Sequence, residues 1–253
     1  MVSVPADFLV KAIYVNEGEH AYASIRFDQN SKDWLTGNLH LVKNSVTRFA
    51  IWRYFWIAVK ETAMSSLQYM AFIENQIPKE GEEQILQFGL LVLKSMIDLY
   101  LPSECVLDKS SALFEALVGL LYAGKVNRAT VVDYVFNFIT TKEQMELVLV
   151  WLEKSKIENE GALVFELTNS HKYSVLRMLF KDPNFSKEMK LQVLERTLGE
   201  DKSDPAEKTR IKCLSGLPDA MAKEEAWLAI TDVNSKESIA EREAKMSGFY
   251  SWN

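Results

Sequence analysis

From Ser31 to the end of the chain, apolar residues recur at helical spacing and no alternating run interrupts them. Trp34, Leu35, Leu39 and Val42 fall on one face of a first helix. Phe49, Trp52, Phe55, Trp56 and Val59 do the same on the next. The starts are marked chemically. Ser65-Ser66-Leu67-Gln68 and Thr141-Lys142-Glu143-Gln144 read as capping boxes, in which a hydroxyl accepts from the first turn while the glutamine reaches back. Asp204-Pro205-Ala206-Glu207 offers a cap, a proline at the first helical position and a carboxylate at the third. Further helices are expected over Glu82–Leu99, Ser110–Ala123, Arg128–Ile139, Ser170–Phe180, Lys187–Leu198, Ala220–Ile230 and Glu237–Met246. The connections are short, which makes neighbouring helices antiparallel. Roughly ten to twelve helices without intervening strands predict an all-α fold, an irregular HEAT/armadillo-like superhelix of antiparallel helix pairs.

Residues 1–28 differ. Ala23, Ile25 and Phe27 alternate with Tyr22, Ser24 and Arg26, a period of two that predicts a strand over Ala21–Phe27. A second strand is expected over Lys11–Val15, and Asn16-Glu17-Gly18-Glu19-His20 reads as the turn between them. A lone hairpin is marginal in water, so these strands need a larger sheet or a helical surface to lean on. Residues 1–28 and 29–253 are therefore expected to be distinct parts of the chain.

The chemistry of catalysis is hard to find. The three histidines, His20, His40 and His171, lack a second histidine at metal-ligand spacing, and there is no His-Glu-x-x-His. No Gly-x-Ser-x-Gly elbow occurs, and the 10 glycines are too scattered for a phosphate loop. The acidic runs Glu80-Gly81-Glu82-Glu83 and Glu158-Asn159-Glu160 are read as solvated carboxylates in loops and at the positive ends of helices. No catalytic residue, metal site or cofactor is expected in this chain. A formal charge of −6 argues against a nucleic-acid partner. The apolar runs Leu86 to Met96 and Val131 to Ile139 are interrupted by Lys94 and Asp133, so no membrane insertion is expected. Met1 to Asp7 lacks the regions of a signal peptide. Two distant cysteines, Cys105 in a loop and Cys213, fit a cytoplasmic or other reduced intracellular compartment.

The aromatic stripe Phe49, Trp52, Phe55, Trp56 has two readings. One is a packed helix–helix core with arginines snorkelling at its edge. The other is a recognition surface on the inner side of the array. The second makes Trp34, Arg48, Trp52 and Arg53 candidate interface or substrate-facing residues.

At this stripe the chain resembles a known family. Thr47-Arg48-x-x-Ile51-Trp52-Arg53-x-x-Trp56 looks like the opening of the helical C-terminal domain of aminopeptidase N-type zinc aminopeptidases. The likeness continues through Ile77-Pro78-Lys79-Glu80 and Tyr100-Leu101-Pro102, then Leu217-Pro218-Asp219-Ala220-Met221-Ala222-Lys223, Trp227 and Gly248-Phe249. Val15-Asn16 and Ala21 to Asp28 are similar to the last strands of the small β-sandwich that precedes that domain. The resemblance implies that residues 1–28 are an incomplete β-sandwich and 29–253 a lid. It also implies that zinc, the catalytic residues and the exopeptidase motif belong to a separate domain, absent here. The expected function is then a non-catalytic domain or subunit that caps an aminopeptidase active site and gates peptides; the expected partners are the catalytic domain, or another protein, and peptides. An inert helical scaffold within a larger assembly is the alternative.

Overall fold

The computed structural model describes residues 9–199 and 201–250. Among them lie twelve α-helices and one two-stranded antiparallel sheet, an all-α fold with a small β element. The chain divides into two compact units, Met1–Tyr134 and Val135–Asn253.

The first unit holds α1 (Gln29–Asn38), α2 (Ser45–Lys60), α3 (Ser66–Gln76), α4 (Glu83–Leu99), α5 (Ser103–Ala123) and most of α6 (Arg128–Val135). Asp28 and Asn44 cap α1 and α2 with their carboxylate and amide oxygens, and the capping box at Ser65 and Gln68 opens α3. Helix α5 starts seven residues before the expected Ser110, so Cys105 sits in its first turn and not in a loop. Pro102, just ahead of Ser103, explains the early start, because its fixed φ of −58° prepares the chain for a helix. The core is aromatic: Trp52, Phe55, Tyr69 and Phe72 are buried between α2 and α3. Gln76 ties the end of α1 to α3, donating to Thr36 O at 2.9 Å and accepting from His40 N at 3.2 Å.

The strands expected at Lys11–Val15 and Ala21–Phe27 are absent from the described residues. The segment lies along α2 without regular structure except for a 3-10 turn at Glu17–Glu19. Buried Asn16 supplies the reason. Its Nδ2 donates to Ala21 O at 2.9 Å and its Oδ1 accepts from Ala21 N at 3.0 Å. A side chain thus occupies the backbone groups that would have begun a ladder. Residues 1–8 lie outside the described residues.

The second unit holds α7 (Lys142–Lys154), β1 (Lys156–Asn159), β2 (Ala162–Glu166), α8 (Asn169–Lys181), α9 (Lys187–Leu198), α10 (Asp204–Gly216), α11 (Ala220–Thr231) and α12 (Ile239–Phe249). The hairpin overturns the expectation that strands occur only before Ser31. Glu160 and Gly161 both take positive φ, 50° and 81°, which forms the two-residue turn a tight hairpin prefers. Helix α12 packs so closely on α10 that a Cβ at Gly248 would lie 2.1 Å from Ser215 Oγ and 2.3 Å from Lys212 O. Two buried or half-buried lysines close helix ends. Lys190 Nζ donates to Phe180 O and Asp182 O at the end of α8. Lys223 Nζ donates to Ser215 O and Phe249 O at the ends of α10 and α12.

Candidate functional site

Helix α2 carries the signature stripe and three of the four residues singled out in the sequence. Nearly its whole circumference is covered: Thr47, Ala50, Ile51, Trp52, Tyr54, Phe55 and Val59 are buried. Trp52 is withdrawn from solvent completely. Its ring meets Phe72 edge-on at 5.0 Å, and its carbonyl accepts from the Tyr69 hydroxyl at 2.8 Å. Trp56 stacks on Tyr69 at 5.8 Å and meets Tyr100 at 4.9 Å. The stripe is therefore the core of the first unit, and Trp52 has no surface left to offer a ligand.

Arg48 is equally committed. Its guanidinium grips Glu80 with Nε at 3.0 Å and Nη2 at 2.8 Å, while Nη1 donates to Val42 O and Lys43 O. The pair is buried, with side-chain exposures of 11% and 4%. The fork geometry raises the Arg48 pKa against the opposing effect of burial. Glu80 also accepts from Glu82 N, so one ion pair joins the chain before α2 to the start of α4. Trp34 is half-buried on α1, and no hydrogen bond, ion pair or ring contact joins it to the α2 stripe among the described residues. The four residues do not converge on one surface.

Arg53 is the exception that leads outward. It is exposed and lies 3.9 Å from Glu19 of the N-terminal arm. Around that contact is a polar knot absent from the sequence reading. The Tyr14 hydroxyl donates to Glu19, Tyr54 donates to both Glu19 oxygens at 3.2 Å, and Asn16 Nδ2 donates to Tyr54 at 3.2 Å. Burial, and then the hydrogen bond to Glu19, push the Tyr14 phenol well above its ordinary pKa. Phe27 meets Phe55 edge-on at 5.3 Å and stacks on Tyr14 at 6.3 Å. The arm is thereby fastened along α2 by its inner side chains. Its outer ones, Leu9, Ile13, Val15 and Tyr22, are exposed, with Val15 at 74%.

No group of three or more histidine, cysteine, aspartate or glutamate side chains among the described residues is placed to hold a metal ion. His171, buried, accepts from Thr168 N through Nδ1 at 3.1 Å in a capping box. Both cysteines are free thiols, and burial pushes the Cys213 thiol up to about 12. No helix of the described residues is long and apolar enough to cross a membrane.

The chain is 22% identical over 240 residues to an aminopeptidase N of Streptomyces lividans, covering 94% of this chain and 27% of that protein. The chain thus spans about a quarter of the length of the curated relative it matches. No family model matches.

Proposed function

We propose that this chain is an aminopeptidase-related helical domain that acts beside a zinc catalytic domain, capping its active site and gating the peptides that enter. The supporting observation is the distant likeness over nearly the whole chain to about a quarter of an aminopeptidase N. In this reading the metal and the bond-breaking groups belong to the partner, and no cluster among the described residues is placed to hold a metal ion. This chain's contribution would be enclosure: excluding water and wide substrates, and opening for release.

The N-terminal arm is the docking element in this reading. Its inner side chains are spent on α2, while Leu9, Ile13, Val15 and Tyr22 face solvent. A segment that joins no ladder among the described residues and shows apolar side chains to solvent is suited to being joined by a foreign strand. Helix α2 would set the angle of the cap through Arg53 and the Glu19 knot.

The test spares the fold. Val15→Asp and Tyr22→Asp alter exposed positions and leave the contacts of Asn16, Glu19 and Phe27 in place. The wild-type chain, purified from its own cells, is expected to bring a protein with a His-Glu-x-x-His motif, identified by mass spectrometry, and aminoacyl-amide hydrolysis. The double variant should lose both, with an unchanged unfolding midpoint. Absence of a zinc-motif partner from the wild-type preparation would favour the scaffold reading. Retention of the partner by the double variant would move the contact off the arm.

A further inference from the structure

The second unit contains a cleft of about 220 Å³ lined by Phe136, Asn137, Ser174, Arg177, Met178, Lys181, Lys212, Ser247 and Gly248. Three of the lining side chains are cationic and none is acidic. Arg177 and Lys212 have no carboxylate within ion-pair distance among the described residues, and the one hydrogen bond of the Arg177 guanidinium goes to Ser174 Oγ at 2.8 Å. Both are half-buried. Burial lowers the pKa of each, and for Lys212 the nearby Arg177 and Lys208 add to the effect. Like charges gathered in a partly dry recess oppose folding unless something negative joins them.

Helix ends do not account for them. Cations are favoured near helix C-termini, and the cleft lies by the ends of α8, α10 and α12. Those ends, however, are already closed by other lysines: Lys190 serves α8, and Lys223 serves α10 and α12. Neither the Arg177 nor the Lys212 side chain donates to a helix-end carbonyl among the described residues.

We propose that this cleft binds a small phosphate monoester, its phosphate held by Arg177 and Lys212 and its organic body against Phe136 and Met178. A guanidinium fork matches phosphate oxygens in geometry, and a lysine adds a point charge. A dianion balances the two charges of Arg177 and Lys212 better than a single carboxylate does. Ser174, Asn137 and Ser247 add polar groups at the rim. The volume is below the ~300–1,000 Å³ of drug-sized sites, so the ligand is small. This site is independent of any role as an aminopeptidase cap.

The probe is phenyl phosphate, compared with inorganic phosphate, benzoate and chloride at matched ionic strength. Lysines of the intact wild-type chain are acylated with limiting reagent, and labelling is read residue by residue by mass spectrometry. Phenyl phosphate at about ten times its Kd should slow labelling of Lys212 about ten-fold, as the occupancy requires. Exposed Lys187 should be unaffected. Inorganic phosphate should protect more weakly, and benzoate and chloride least. Arg177→Gln, checked for helicity by circular dichroism, should lose the protection. Equal protection by chloride, or none by phenyl phosphate, overturns the site. Benzoate matching phenyl phosphate overturns the choice of phosphate. The wild-type labelling decides the matter even where the variant fails to fold.

Discussion

A Cβ at position 89 would lie 2.7 Å from Cζ3 of Trp52, closer than carbon atoms approach. The tryptophan and the missing side chain are one packing decision, made between α2 and α4. Gly89→Ala should therefore cost ~1–3 kcal/mol through overpacking. Adding Trp52→Phe should return part of that loss, since neighbours in contact do not act additively. Trp52→Ala should cost ~3–5 kcal/mol, as a large ring leaves a cavity. Chemical denaturation checks all three; a loss below about 1 kcal/mol for Trp52→Ala, the scatter of surface changes, would put the ring at the surface. Arg48→Met should cost about 3 kcal/mol, because Glu80 is left charged and buried without its partner. Glu80→Met in the same chain should recover much of it, by the same denaturation measurement. At this scale the sequence left Trp52 open between a packed core and a recognition surface, and its complete burial decides for the core. It offered Arg48 as an interface candidate and could not show the pairing with Glu80, which spans 32 residues and leaves no local pattern.

Elements were legible wherever local chemistry decided them. The capping boxes at Ser65 and Thr141 lie where their spacing placed them. The proline start of α10 is off by one, with Ser203 at the cap and Pro205 second in the helix. Two failures have physical causes. Lys11–Val15 and Ala21–Phe27 alternate as strands do, but the Asn16 side chain takes the hydrogen bonds of a ladder. The β1–β2 hairpin was hidden because Leu163, Val164 and Phe165 form an unbroken apolar run. Its signal was Gly161, which directly follows the acidic stretch Glu158-Asn159-Glu160. The hairpin also titrates. Hydrogen bonds from Lys154 and then Lys156 lower Glu158 from an ordinary 4.5 to about 2. A depressed carboxylate contributes stability that is full above 4.5 and is lost as pH falls toward 2. Glu158 followed by NMR should titrate near 2, and Lys154→Gln should move that midpoint upward. A midpoint of 4.5 in the wild type would mean that the two lysines are not engaged in solution.

For the whole molecule, the helical class followed from periodicity alone, while the division into two units left no trace in composition or linkers. The cationic cleft was illegible for a related reason. Arg177, Lys181 and Lys212 come from α8 and α10, and only packing gathers them. The N-terminal arm has a consequence of another kind. Its exposed side chains include Leu9, Ile13, Val15 and Tyr22, and it joins no ladder among the described residues. Such a segment is an open template for a second identical chain. In concentrated solution, without a partner, the protein should thicken into oligomers whose size grows with concentration, visible by light scattering. Val15→Asp should keep such preparations clear, so the residue that draws a partner would also set the shelf life of the isolated chain.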